Sequence, residues 1–232
     1  MTDYASIAEK LKSVLNLKGS PVAIKLAKSA EEIPAGVPEI EEAVRHCRMI
    51  ALAREGKIFY ALDAKHQCGG GAWALGLRPI GETLKTGQHY FKLGKYSTLN
   101  SSRRTMAGIP HMPQETYATL YAPLESAPFV PDVVVFFAQP AAVLKLAQST
   151  LFNLGGRIYP EFSGIQSLCS DVTSYVLLTG KPNFSLGCDG SRKFSGIGAD
   201  EMVAGFPAEM MEELAENIDK VAKAPGSAPV AK

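Results

Sequence analysis

The chain of 232 residues has no apolar run near the ~20 residues that a membrane-spanning helix needs. Its first residues, Met1-Thr2-Asp3-Tyr4, carry neither a basic segment nor an apolar one, so no secretory leader is expected and the reading is cytoplasmic. Net charge is also missing: 24 basic against 23 acidic residues leave +1, and no global field favours nucleic acid or an anionic membrane. Several chemistries lack their signatures. There is no Cys-x-x-Cys, no Walker-type loop, no His-Glu-x-x-His and no Ser-His-Asp constellation. Gly196-Ile197-Gly198 is too short for a dinucleotide site.

What remains is an ordinary globular composition, 46% apolar and 20% charged, long enough for one large domain or two fused halves. Four cysteines stand out, because in a reducing compartment thiols serve more often as free groups or metal ligands than as disulfides. They fall into two pairs with similar surroundings. Cys47 opens an apolar stretch that stops at Gly56-Lys57; the run Ile58 to Leu62 follows, then Cys68 with Gly69-Gly70-Gly71. Cys169 opens a stretch that stops at Gly180-Lys181; Asn183 to Leu186 follows, then Cys188 within Gly187-Cys188-Asp189-Gly190.

Around these points the hydrophobic pattern alternates between helix and strand. Tyr4, Ile7, Leu11 and Val14 mark a helix over Asp3 to Leu17, and Val22 to Leu26 reads as a strand. Glu39 to Arg54 reads as one amphipathic helix with acids in its first turn. Ala72 to Leu75 suggests a short buried helix, Tyr90 to Leu93 a strand, Thr98 to Met106 a polar helix and Tyr117 to Tyr121 a strand. Pro123 to Pro131, with three prolines in nine residues, reads as a linker between half-domains 1–122 and 132–223. Val133 to Phe137, apolar on both faces, is expected as a central strand. A helix from Pro140, a strand over Met202 to Phe206, a helix opened by Pro207 and a frayed tail from Ala224 complete the pass. The expected fold is therefore α/β, a mixed sheet with flanking helices and an internal duplication of two similar halves.

Four thiolates are the usual holders of iron–sulfur clusters, and glycine beside a ligand lets backbone N–H groups approach the sulfur. Cys47, Cys68, Cys169 and Cys188 are accordingly the expected ligands of one [4Fe–4S] cluster, with Gly69, Gly70, Gly187 and Arg192 as neighbours that contact it or balance its charge. The spacing is unspecific, and Cys47 and Cys169 would equally suit packing positions within helices. Zinc could take the same thiolates, or two of them with His46 and His66. Cys68 or Cys188 could instead act without metal, as a nucleophile or in a small-anion site. Arg103 and Arg104 read as surface or capping residues, His89 and His111 as ordinary loop residues and Trp73 as core. Asp171 and Asp189 both read as helix caps that could alternatively orient a ligand or move a proton.

At Cys68-Gly-Gly-Gly-Ala-Trp-Ala-Leu-Gly-Leu and at Ser185-Leu-Gly-Cys-Asp-Gly-Ser-Arg192 the chain resembles a prokaryotic family, domain-of-unknown-function family 169, common in archaea and anaerobic bacteria. The resemblance spans about Leu11 to Phe206. It implies a stand-alone cytoplasmic protein with cysteine motifs and supplies no reaction. Electron transfer, or redox support of a partner protein, is the expected role; a small anionic ligand is the other partner considered.

Overall fold

The computed structural model describes residues 2–230. Its first helix, α1 (Tyr4–Leu15), is capped by the Asp3 carboxylate, which accepts from the Ser6 N–H at 3.0 Å, and ends at left-handed Asn16. Strand β1 (Val22–Ala27) follows, then α2 (His46–Arg54), β2 (Phe59–Leu62) and α3 (Gly69–Ala74). Three small helices come next, α4 (Glu82–Lys85), α5 (Gln88–Lys92) and α6 (Leu99–Ala107), before β3 (Ala118–Pro123). The remainder runs β4 (Val133–Ala138), α7 (Pro140–Leu151), a π-helix (Ser167–Ser174) continuing into α8 (Tyr175–Thr179), β5 (Asn183–Ser185), α9 (Asp189–Ser195), β6 (Met202–Pro207) and α10 (Met211–Ala222).

All six strands form one sheet in the order β2-β3-β1-β4-β6-β5, each neighbouring pair antiparallel. The expected α/β fold with flanking helices is present, but the sheet expected to be mixed is antiparallel at every strand pair. Strands alternate their side chains between two faces, and both are covered. Val134, Phe136 and Phe206 point to the side packed by Leu11 and Leu15 of α1, Leu146 of α7 and Leu214 and Ile218 of α10. Ile24, Val133, Val135 and Val203 point to the other side, beneath Met49 and Ile50 of α2 and Leu168 and Val172 of the π-helix. A third cluster, Trp73, Leu84, Met106, Ile109 and Ile165, seats α4 and α6 on α3.

The strand order reads the same from either edge. In the central antiparallel pair, Val22 faces Val135, Ala23 faces Val134 and Ile24 faces Val133. Outward from it, Val22 aligns with Pro123 on β3 as Val133 aligns with Pro207 on β6. Residues 123–131, read as a linker, leave β3 with Leu124 and Phe129 buried, and the sheet is continuous across the two halves. Matching strand arrangement is not duplication of sequence, and the expected internal duplication is not established by it.

Several boundaries differ from the sequence reading. Tyr90 to Leu93 is not a strand: Gln88–Lys92 is helical, and α5 packs against α4 and α6. The helix expected from Glu39 starts only at His46, because Glu39 and Val44 make parallel bridges to Tyr60 and His66 at the sheet edge. Pro207 both closes β6 and caps a 3-10 helix, Ala208–Met210, that leads into α10 at Met211. The Gly-Lys stops do end helices, with Gly56 at φ 105° and Gly180 at φ 63°. Among the described residues no helix is long and apolar enough to cross a membrane.

Candidate functional site: four thiols at four helix starts

Each cysteine sits at the beginning of a helix. Cys47 is the second residue of α2, Cys169 the third of the π-helix, and Cys68 and Cys188 are the N-cap residues of α3 and α9. Helix starts carry unpaired N–H groups and the positive end of the peptide dipole, which favour negative charge at sulfur. At Cys188 this is explicit: its Sγ accepts from the Ser191 N–H at 3.4 Å.

Ser191 also joins two of the thiols. Its hydroxyl lies 3.1 Å from the Cys188 Sγ and 3.6 Å from the Cys47 Sγ, so those sulfurs are no farther apart than the two distances combined. The same hydroxyl meets Ser167 Oγ at 2.9 Å, and Ser167 Oγ accepts from the Cys188 N–H at 3.0 Å, tying α9 to the start of the π-helix. The Arg45 guanidinium, 4.3 Å from the Phe194 ring centre, ties α2 to α9 as well. On the other side, a Cβ added to Gly71 would stand 3.8 Å from the Cβ atoms of Cys68, Cys169 and His46 alike. Cys47 and Cys188 thus meet at Ser191, Cys68 and Cys169 meet across Gly71, and the Ser167–Ser191 contact joins the two pairs.

Their electrostatics agree. Burial pushes the Cys47 thiol up to about 12, with further upward pressure from Cys188 and Cys68. Cys169, fully enclosed, is pushed well above its ordinary value by burial and then by the charges Cys47, Cys68 and Cys188 would carry. Tyr90 is raised by burial first, then by Cys169, Cys188 and Cys68. Cys169 is buried, whereas Cys47, Cys68 and Cys188 keep partial access to solvent.

Among the described residues, no group of three or more His, Cys, Asp or Glu side chains is placed to hold a metal ion. Four thiolates on one zinc would stand about 3.8 Å apart, given a Zn–S bond of ~2.3 Å. The histidines proposed as alternative ligands are engaged elsewhere. His46 Nδ1 is 2.7 Å from the Tyr121 hydroxyl and its Nε2 3.5 Å from Thr173 Oγ1, while His66 Nε2 is 2.9 Å from Thr119 Oγ1 and only its buried Nδ1 has no hydrogen-bond partner. Burial lowers both imidazoles to about 3, with His46 and Arg78 adding to the effect at His66, so both are neutral.

Of the residues expected around the cysteines, Gly69, Gly70 and Gly71 form the first turn of α3. A Cβ on Gly70 would come within 3.3 Å of Gln166 Nε2. Gly187 has φ 82°, and a Cβ there would meet Ile197 Cδ1 at 2.9 Å, so glycine is required. Arg192 donates to the Gly198 and Glu201 carbonyls at 3.1 and 3.0 Å, bracing the loop before β6. Asp189 pairs with Lys95, and Trp73 stacks on His111 at 4.6 Å. Asp171 is pushed up to about 7 by burial; it accepts from Ser185 Oγ at 2.8 Å and lines a cavity of about 450 Å³ with Arg104, Glu161 and Ser163.

Sequence reasoning missed Ser167, Ser191, Tyr90 and Tyr121, whose places depend on packing. It also missed the π-helix, whose wide turn buries Ser167, Ser170, Asp171, Thr173 and Ser174 together. That packing depends on one glycine: a Cβ on Gly205 of β6 would stand 2.2 Å from the Val172 carbonyl oxygen.

Fold and site together define an α/β protein with a thiol-lined junction of helix N-termini. The chain belongs to domain-of-unknown-function family 169, described as uncharacterised ArCR, whose model matches residues 10–217. It is similar to the uncharacterized protein MJ0308 of Methanocaldococcus jannaschii, with 45% identity over 214 residues covering 91% of this chain and 92% of that protein. No solved structure matches.

Proposed function

We propose that the protein is a cytoplasmic iron–sulfur protein in which Cys47, Cys68, Cys169 and Cys188 hold one [4Fe–4S] cluster, used for electron transfer or redox support of a partner protein. The observation that carries this reading is the meeting of four thiols at four helix starts. A cubane separates its thiolates more widely than a single ion does, because four irons stand between them, so the lack of a single-ion group leaves this chemistry open. Four converging thiols with mutual repulsion on ionisation also suit a polynuclear cation, which would take the place of their protons. When bound, the cluster would supply a one-electron couple. The chain's own part is to cap it: the Ser191 hydroxyl and N–H donate toward sulfur, the helix starts offset negative charge, and the neutral His46 side chain fills the wall behind Gly71.

The test is anaerobic purification or reconstitution, followed by iron, sulfide and zinc analysis and electron paramagnetic resonance of the reduced protein. About four irons and four sulfides per chain are expected. Each of Cys47→Ser, Cys68→Ser, Cys169→Ser and Cys188→Ser should lower cluster retention. Stoichiometric zinc without sulfide, or wild-type iron content in Cys47→Ser and Cys169→Ser, would overturn the four-ligand assignment.

A further inference from the structure

Between Glu82 and Glu115 the chain has no acidic residue, while Lys85, Lys92, Lys95, Arg103 and Arg104 all fall there together with His89. In a chain of near-zero net charge this is a pronounced local imbalance. With the exposed Glu82 at its start, the segment forms α4, α5 and α6, and it lies against the thiol junction. Leu84 Cδ1 would be 3.5 Å from a Cβ on Gly70, immediately after Cys68 and Gly69. Tyr90 of α5 lies within electrostatic reach of Cys68, Cys169 and Cys188, and Lys95 pairs with Asp189, the neighbour of Cys188. Lys85, His89, Lys92, Arg103 and Arg104 are exposed, and among them Phe91 and Leu93 expose 40% and 57% of their surface.

We propose that the outer surface of α4–α6 is the docking face for an acidic electron-carrier protein, which exchanges one electron with the cluster beneath it. The proposal rests on the cluster reading above and names its partner class. Cations around two exposed apolar side chains match the make-up of a small, transient protein interface, in which charge steers the encounter and apolar contact forms its centre. A reduced carrier would lose one electron and the cluster would gain it; no bond is made or broken.

The reconstituted full chain would be mixed anaerobically with a reduced acidic [2Fe–2S] ferredoxin in a stopped-flow instrument. The second-order rate should fall at least ~10-fold between about 20 mM and 500 mM salt, where the screening length shortens several-fold. The double variant Lys92→Glu/Arg103→Glu should lose a similar factor at low salt with unchanged iron, sulfide and visible spectrum. Lys57→Glu, exposed but outside this stretch, should behave as wild type. Rates insensitive to both salt and charge reversal would overturn the docking proposal while leaving the cluster intact. So would faster exchange with a basic cytochrome, or charge-dependent binding of a single-stranded oligonucleotide with ferredoxin exchange unaltered. Absence of iron and sulfide before mixing would sink the cluster reading itself, and the electron-transfer proposal with it.

Discussion

Replacing Gly205 by alanine tests whether the strand–helix contact under the thiol junction is as tight as the structure implies. The added Cβ would lie 2.2 Å from the Val172 carbonyl oxygen and 2.9 Å from its carbonyl carbon and Cα. All three are backbone atoms, so no side-chain rotation relieves the overlap. On one side β6 is laddered to both β4 and β5; on the other, the π-helix is held by the Ser174 hydroxyl donating to the Ala74 and Cys169 carbonyls at 2.6 and 2.9 Å. Overpacking in a well-ordered core costs ~1–3 kcal/mol, and with rigid backbone on both sides about 3 kcal/mol is expected. For a chain of this size that lowers the melting temperature by roughly 6–12 °C. The metal-free protein, followed by circular dichroism, keeps this independent of any cofactor. Gly71→Ala is the control: its Cβ meets nothing closer than 3.8 Å, so its stability should stay within about 1 kcal/mol of wild type. If Gly205→Ala melts with the wild type while Gly71→Ala collapses, the packing argument is wrong.

Glu201 and Arg54 form an ion pair at 2.7 Å with side chains only 3% and 13% exposed, and Glu201 Oε2 also accepts from the Gly198 N–H. Glu201→Gln leaves a shielded guanidinium without its counter-charge and should cost ~2–3 kcal/mol, read from urea midpoints at neutral pH. Burial raises the Glu201 carboxyl, but the Arg54 and Gly198 hydrogen bonds outweigh it and the net shift is downward. A lowered folded pKa gives stability that is present above the ordinary 4.5 and fades as pH falls through the folded value, so the gap between variant and wild type should narrow in acid. Tyr121→Phe removes the hydroxyl 2.7 Å from buried His46 Nδ1, and leaving that nitrogen unpaired should cost ~1–3 kcal/mol by chemical denaturation. An unchanged midpoint would mean that His46 finds another partner.

What the sequence disclosed about this site was local chemistry. The Gly-Lys helix stops and the corner at Cys188 were legible because Gly56, Gly180 and Gly187 adopt positive φ, a state that glycine signals by itself, whereas the helix start at Cys47 was hidden inside the helix expected over Glu39 to Arg54. Val133 to Phe137 was legible as a central strand because it is apolar at every position, and β4 is buried throughout. Tyr90 to Leu93 misled because four residues cannot separate a two-residue period from a helical turn, and the packing of Tyr90 against α3 and α6 decided for helix. The acids after Glu39 imitated a first helical turn, yet the pairing of Glu39 with Tyr60 and of Val44 with His66 holds that stretch extended. Such pairings join residues about twenty positions apart and leave no local trace. The π-helix is hidden for a related reason: a run of buried serine and threonine is tolerated because the tertiary partners Pro110 and Ala74 supply carbonyl acceptors and Thr173 bonds back to the Leu168 carbonyl within the helix.

The symmetric strand order gives the site a physical rationale. β1 and β4 are the innermost strands, so the sheet is closed at its centre by contacts between the first and second halves of the chain. On one face of that sheet α2 rests on β1 and β3, and the π-helix rests on β4, β5 and β6. Each half therefore brings one helix with a thiol in its first turn and one thiol-capped helix to the same side. Neither half has more than two thiols of its own, so the four thiols become neighbours only while the β1–β4 seam is closed. Close approach of the thiols also has a cost, because ionising any one of them in this buried setting raises the energy of ionising the others. A structure that gathers such groups therefore holds Cys47 and Cys169 as neutral thiols at neutral pH.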